Sequence, residues 1–363
     1  MGLKIIHIIS SLARGGRERQ LSIIFKYTDK DKYSTRIIYF NESDQNYIVE
    51  YHLSKDLIRI NESGFLTRLF HLLKILRQEQ PDLIFSWGIN ESVLGLLSSM
   101  LTGVRFVNGS IRHGIRLNRS SHLFRYLILK ISPNVVANSK AGLLANGIRK
   151  GYVLYNGVDK IFAKKDTTAG TEELKVRLTG KHIDYPIIIS VANLVPYKDY
   201  FSVLTALKEA KESGKDFLYI IIGDGPMKDE IIEMINAYGL SNYVLLTGIK
   251  ENVNEYLQIA DIFLHSSRGE GCSNAILEAM FSGLPVIASD TGGTSEIVKE
   301  TFGFLFPYRD HNSLSGKIIA LLDNPGLRET MAKKAFEYAN DNFLPEKMIE
   351  NYYKIITKII TNQ

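Results

Sequence analysis

The richest stretch of possible chemistry is Ser266-Ser-Arg268-Gly-Glu270-Gly271-Cys272-Ser273-Asn274-Ala-Ile-Leu-Glu278, which continues Ala-Met-Phe-Ser-Gly283-Leu-Pro285-Val-Ile-Ala-Ser-Asp290-Thr-Gly292-Gly293. A helix begins near Ser273 or Asn274, both good N-cap residues. Glu270 precedes that helix and Glu278 lies one turn inside it, with seven residues between them. A carboxylate accepts two hydrogen bonds from a vicinal diol, so each suits a ribose or a hexose. Backbone amides from Gly271 to Asn274 sit at the helix N-terminus, where N–H donors and the helix dipole favour a diphosphate. One loop can thus grip sugar, diphosphate and ribose together. Cys272 reads as a small packing residue, since no histidine base stands beside it.

Four further segments carry weaker signals. Val191-Ala-Asn193-Leu-Val-Pro-Tyr-Lys198-Asp199 leaves a strand at its carboxyl end, and Lys198 can neutralise a phosphate as a point charge. Ser10-Ser11-Leu12-Ala13-Arg14-Gly15-Gly16-Arg17-Glu18-Arg19 joins a strand to a helix, with glycines that let backbone amides approach an anion, or simply a tight turn. Gly223-Asp-Gly225-Pro226 resembles half a dinucleotide fingerprint, but Lys228 stands where the third glycine belongs, so it reads as a strand-to-helix turn. Asp29-Lys30-Asp31 is a lone DxD between a helix and a strand, read as a solvated turn and not a metal site.

These residues need elements to hold them. Strands are expected at 3–9, 35–40, 82–86, 104–108, 134–137, 152–155, 186–191, 217–222, 243–246, 261–264 and 285–288. Longer amphipathic segments separate them, including helices near 17–27, 66–79, 90–101, 120–131, 139–146 and 199–212. The chain ends in helices at 311–322, 326–340 and about 346–361. This alternation predicts βα units around parallel sheets. The pattern restarts after a polar, strand-poor loop at 164–171, so the sequence predicts two doubly wound α/β domains. Ligands of such sheets bind outside the carboxyl ends of the strands, and a two-domain chain then places its site in the cleft between them.

Composition agrees. With 363 residues, 45% hydrophobic and 23% charged, the chain is globular and too long for one core. Its single cysteine excludes a disulfide framework or a Cys-based zinc cluster and fits a reducing compartment. The uncharged run Ser92–Val104 is too short to span a bilayer, and the apolar N-terminus reads as a first strand, not a signal peptide. Charge is uneven: residues 1–159 hold 22 Lys+Arg against 12 Asp+Glu, and residues 160–363 hold 22 against 27. No acidic residue occurs between Glu91 and Asp159, a gap that contains Arg105, Arg112, Arg116, Arg119, Arg125, Lys130, Lys140, Arg149 and Lys150. Such a surface gathers anions. Within it, Arg119-Ser-Ser-His-Leu-Phe-Arg-Tyr-Leu-Ile-Leu-Lys130 reads either as a core helix with a solvated basic face or as a segment lying on an anionic membrane. Nucleic acid is not expected, because no recognition helix, zinc pattern or interleaved aromatic set is present.

Glu270-Gly-Cys-Ser-Asn-Ala-Ile-Leu-Glu278, followed by Ala-Met-x-x-Gly-Leu-Pro-Val-Ile-Ala-x-Asp-x-Gly-Gly, resembles the retaining glycosyltransferases of family 4. The Gly15-Gly16-x-Glu18-Arg19 loop, Tyr155-Asn156-Gly157-Val158-Asp159, Val191 to Lys198, and Gly223-Asp-Gly-Pro226 are similar to that family's landmarks and fall in its order. The resemblance implies the GT-B fold: two Rossmann-like domains facing across a cleft. These are an acceptor-side domain over 1–165, a nucleotide-sugar domain over 166–345, and a last helix, 346–363, that returns to the first domain. It also implies that Glu278 binds the donor ribose and Glu270 the hydroxyls of the transferred sugar. Lys198 and Arg268 would meet the diphosphate beside the amides of Gly271, Cys272, Ser273 and Asn274, with the Gly16 backbone closing over it. His113, in Ser110-Ile-Arg112-His113-Gly114, resembles the histidine near the reacting sugar. Asn193 stands where the family commonly has an arginine, and brings hydrogen bonds without charge. The implied donor is a nucleotide-sugar, UDP-linked first and GDP-mannose second, with neither cofactor nor metal. The implied acceptor is a lipid-linked saccharide of capsule or O-antigen type at the cytoplasmic face of a bacterial membrane. Sugar-nucleotide epimerases and hydrolases share the fold, and a non-catalytic binding module is a further alternative.

Overall fold

The computed structural model describes residues 2–13, 15–41, 56–115, 122–163 and 171–361. Arg14, Arg116, Arg119 and the loop 164–170 lie outside the described residues. The chain divides into two compact units, one of residues 1–157 with 345–363 and the other of residues 158–344.

The first unit holds β1 (Leu3–Ser11), β2 (Tyr33–Asn41), β3 (Leu57–Arg59), β4 (Leu83–Ser86), β5 (Arg105–Ile111), β6 (Val135–Ala137) and β7 (Tyr152–Val153). They form one sheet in the order β3-β2-β1-β4-β5-β6-β7, with every pairing parallel. Parallel sheets carry helices on both faces, so their central strands read as continuous apolar runs. β1 obeys this: Ile5, Ile6, Ile8 and Ile9 are all fully buried. Ile5 and Ile9 face a cluster with Phe25, Phe85, Trp87 and Tyr352, while Ile6 and Ile8 face Leu72, Leu76, Ile84 and Phe106.

The second unit holds β8 (Ile187–Val191), β9 (Leu218–Ile222), β10 (Val244–Gly248), β11 (Ile262–His265), β12 (Val286–Ser289) and β13 (Gly303–Phe306). Their order is β10-β9-β8-β11-β12-β13, again all parallel. In both sheets the order reverses beside the first strand, at β1/β4 and at β8/β11. The carboxyl ends of those strands are where a doubly wound sheet opens a crevice for ligands.

The division between units falls at Gly157, earlier than the polar loop on which the sequence places it. The reason is local packing: Val158 N–H donates to the Phe343 carbonyl at 2.9 Å, and Phe162 is buried in the second unit. The short edge strands β3 and β13 escape the sequence reading. The helix Thr171–Thr179 follows where a loop is read.

The helix Pro345–Thr361 belongs to the first unit. Met348, Ile349, Tyr352, Tyr353, Ile356 and Ile359 are buried at helical spacing, while Glu350, Lys354 and Lys358 face outward. The helix His122–Ile131 exposes Lys130, but its outward face is mainly apolar and not the solvated basic face of one reading. Its Arg125 guanidinium instead donates to the Ser110 carbonyl at 3.1 Å, and Leu123, Phe124, Leu127 and Ile131 are exposed.

Candidate active site

In the second unit the loops leaving β8 and β11 bring charges together at the point where the strand order reverses. After β8 the chain passes Asn193, which is exposed, and makes a 3-10 turn at Pro196–Lys198. Arg268 N–H donates to the Tyr197 carbonyl at 2.8 Å and so ties this turn to the loop after β11. Lys198 Nζ then reaches Glu270 Oε1 at 2.5 Å. His265, the last residue of β11, places Nε2 3.5 Å from Lys198 Nζ and 3.8 Å from Glu270 Oε1. Ser267 Oγ lies 3.4 Å from the same Glu270 oxygen.

The electrostatics follow from this packing. Burial pushes the Glu270 carboxyl up, but the Lys198 ammonium and His265 outweigh it and hold the group well below the usual carboxylate range. Burial, then the Lys198 charge, pushes His265 down against the opposing pull of Glu270. The cluster is therefore an ammonium–carboxylate pair beside a neutral imidazole.

β12 braces the Glu270 loop from the other side. Ser267 N–H donates to Ser289 Oγ at 2.9 Å, and the Ser289 and Thr291 hydroxyls both donate to the Ser267 carbonyl. Gly293 N–H donates to the Glu270 carbonyl at 2.9 Å. Beyond Glu270, Gly271, Cys272 and Ser273 are buried and lead into the helix Asn274–Phe281. Ser273 occupies the N-cap position, but its hydroxyl does not cap the helix. Glu278 is 4% exposed, an ionisable group kept in the interior of the site-bearing helix. Arg268 is exposed beside this loop.

Gly223 and Gly225 serve this architecture indirectly. A Cβ at either position would run into the carbonyl oxygens of Ala192 and Leu194, and Gly223 has φ +151°. The glycines thus let their turn pack backbone-to-backbone on the Asn193 loop, with Leu194 N–H donating to the Asp224 carbonyl at 3.0 Å.

In the first unit, Gly16 is the first residue of the helix Gly16–Tyr27, the next element in the chain after β1. The buried Glu18 carboxylate folds back over Gly15, where a Cβ would collide with it. Arg17 bonds Glu18 at 3.3 Å and the Trp87 carbonyl at 3.4 Å. The helix start therefore already carries an internal anion and cation. His113 follows β5 and is exposed, and Arg112 beside it places its guanidinium 4.5 Å over the buried Trp87 ring. Asp29 lies in an exposed turn, where its carboxylate accepts the Asp31 N–H and pairs with Lys32 at 2.9 Å.

The structure thus gathers Lys198, Glu270, Arg268 and the 271–274 turn within one unit, with Glu278 on the adjoining helix. Gly16, at the helix start that follows β1, and His113, just after β5, stand in the other. Sequence reasoning passes over His265 and Ser267. The available signal is a polar residue closing the buried run Ile262-Phe-Leu-His265, which a strand packed on both faces tolerates only where it has polar company.

Residues 173–338 match the family described as Glycosyl transferases group 1. An N-acetyl-alpha-D-glucosaminyl L-malate synthase of Bacillus anthracis is 27% identical over 209 residues, a match covering 57% of this chain but only 53% of that protein. A UDP-Gal:alpha-D-GlcNAc-diphosphoundecaprenol alpha-1,3-galactosyltransferase of Escherichia coli is 25% identical over 81% of this chain and 80% of its own length. Among solved structures, Anabaena Alr3699/HepE in complex with UDP superposes with a TM-score of 0.85 over 98% of this chain and all of that one, at 20% identity. That likeness shows the fold, GT-B.

Proposed function

We propose that this group 1 glycosyltransferase moves a sugar from a nucleotide-sugar, UDP-linked in the first instance, to a lipid-linked saccharide in the synthesis of a bacterial surface polysaccharide, with retention at the anomeric carbon. The observation that carries the reading is the Lys198–Glu270–His265 cluster at the β8/β11 switch, beside a helix start and the buried Glu278.

An ammonium has three N–H donors, and Glu270 engages one. His265 Nε2 lies within reach of a second at 3.5 Å, which leaves the third for a diphosphate seated on the amides of the 271–274 turn. As the bond from the anomeric carbon to the phosphate oxygen breaks, negative charge collects on the leaving diphosphate. Lys198, Arg268 and the helix amides stabilise that charge where it develops. The acceptor hydroxyl attacks from the same face, its oxygen bonds to the anomeric carbon, and the leaving phosphate oxygen takes its proton. Glu270 orients the sugar hydroxyls and is not assigned a covalent role. Glu278 takes the ribose, Gly16 closes on the diphosphate, and His113 serves the reacting sugar. Asn193 lends hydrogen bonds without charge, which leaves the cationic work to Lys198 and Arg268.

The Escherichia coli relative, whose name specifies a diphosphoundecaprenol acceptor, supports a lipid-linked acceptor here. The acid-free basic stretch of the first unit supports an enzyme working at the inner, anionic face of a membrane. No helix among the described residues is long and apolar enough to cross one.

Nucleotide release from UDP-, GDP- and ADP-sugars, with and without a bacterial lipid extract, tests the reading. Release from one donor, rising with lipid and yielding a product of unchanged anomeric configuration, is expected. An epimer or free sugar formed equally without lipid would replace transfer by epimerisation or hydrolysis. No release from any donor would overturn it.

A further inference from the structure

The helix His122–Ile131 carries Leu123, Leu127 and Ile131 at i, i+4 and i+8, with Phe124 beside them. In a helix of a soluble domain such a stripe faces the core. Here Leu123 is 68% exposed, Leu127 51% and Ile131 62%. Ile128 and Leu129 alone turn inward, and Arg125 is drawn under to the Ser110 carbonyl. The adjoining helix Ile89–Thr102 also exposes apolar side chains, Met100 at 73% and Leu101 at 64%.

The rim of this patch is cationic. Lys130 donates to the Gly147 carbonyl at 3.1 Å, which brings the exposed Arg149 and Lys150 close in the chain to the same end of the helix. No Asp or Glu lies anywhere from residue 92 to residue 158. Several large apolar side chains exposed together on one helix face, and not scattered singly, mark a partner surface. Two copies of this chain meeting through it would oppose rims of like charge, which is unfavourable. A bilayer with anionic headgroups satisfies both features, apolar side chains entering the acyl boundary and basic ones staying among phosphates.

We infer that the helix His122–Ile131 lies in the surface of an anionic bilayer and inserts Leu123, Phe124, Leu127 and Ile131, so that the first unit is held by apolar burial as well as by charge. The inference extends the membrane reading above and rests on this surface, not on the transfer chemistry.

The test is flotation of the full chain with phosphatidylcholine vesicles, with and without about 30% phosphatidylglycerol. Each is run at about 0.05 M and about 0.5 M salt, the second of which screens charge beyond a few ångströms. Two variants are compared with the native chain: L123S/L127S/I131S and K130Q/R149Q/K150Q. The native chain should float with anionic vesicles and keep part of its binding at high salt. The serine variant should bind at least tenfold more weakly at both salts, and the glutamine variant should lose binding mainly at low salt. All three should melt alike and release nucleotide alike without vesicles, because the altered side chains are exposed and remote from Lys198 in sequence. Absence of flotation by the native chain, or a serine variant that floats as well as the native chain, would overturn the inference. So would a native dimer in sedimentation that the serine substitutions dissolve with no effect on vesicles. Flotation without donor cleavage would defeat the transfer reading alone, and donor cleavage without flotation would defeat this one alone.

Discussion

Lys198 Nζ sits 2.5 Å from Glu270 and 3.5 Å from His265, so its charge has one anionic partner and one neutral one. Lys198→Met should cut donor cleavage by roughly 10²–10³-fold, the scale seen when one transition-state charge donor is lost. It also removes the chief force that depresses the Glu270 carboxyl against burial. A carboxyl depressed in the folded state contributes stability above its unfolded value of about 4.3, and that stability is lost as the pH falls. Melting temperature against pH should therefore decline below about pH 5 for the native chain through this group, and that part of the decline should shrink or reverse in the variant, where burial raises the carboxyl without Lys198 to oppose it. An unchanged profile would mean that the pair does not set the Glu270 ionisation. The two glutamates are legible in the sequence because their spacing around a glycine turn and a helix start leaves few other readings. His265 is less so: a polar residue closing a buried strand signals that it needs polar company, but only the return of Lys198 from a different loop shows what that company is.

At the level of elements, His7 joins three of them. The Trp87 indole, which can only donate, gives its N–H to His7 Nδ1 at 2.9 Å. Nε2 must then carry the proton and donate to Tyr352 Oη, 3.1 Å away on the last helix. Tyr352→Phe would strand a buried N–H and should cost about 1–3 kcal/mol in urea unfolding. Burial holds His7 neutral, its pKa lowered from 6.5 to about 3. The unfolded chain then binds this proton first, so stability present above pH 6.5 is lost as the pH falls from 6.5 to about 3. His7→Gln should flatten that part of the pH–stability curve, and a curve of unchanged slope would argue against a neutral His7. The central strands around this site announce themselves as isoleucine-rich runs because both their faces are covered. Two of the four edges do not: Leu57–Arg59 and Gly303–Phe306 are short, have one neighbour each, and owe their extended form to pairing with β2 and β12. The inverted helix His122–Ile131 is legible as amphipathic, but amphipathicity does not say which side meets the core.

For the molecule as a whole, the chain enters the second unit at Val158 and leaves it at Leu344, so the first unit is built from two separated stretches. Inside the first unit Gly157 packs on Met348, and the Gln20 amide clamps Gly157 through both its N–H and its carbonyl, at 2.8 and 3.0 Å. The first core is incomplete without Met348, Ile349, Tyr352 and Ile356, whereas the second core is drawn from residues 188–331 alone. Residues 158–344 expressed alone should therefore unfold cooperatively. If the donor site lies wholly in that unit, UDP at 100 times its dissociation constant should add about 2.7 kcal/mol to its stability. Residues 1–157 alone should show no cooperative transition, because removing the last helix uncovers the side of β1 that holds Ile5 and Ile9 and leaves His7 Nε2–H without its acceptor. Joining residues 345–363 to Gly157 through a short Gly/Ser linker should restore that transition, since Gly157 and Met348 are already neighbours. Calorimetry of the three fragments decides between a helix that completes the first fold and one that merely rests on it. A cooperative melt of residues 1–157 alone would establish the second.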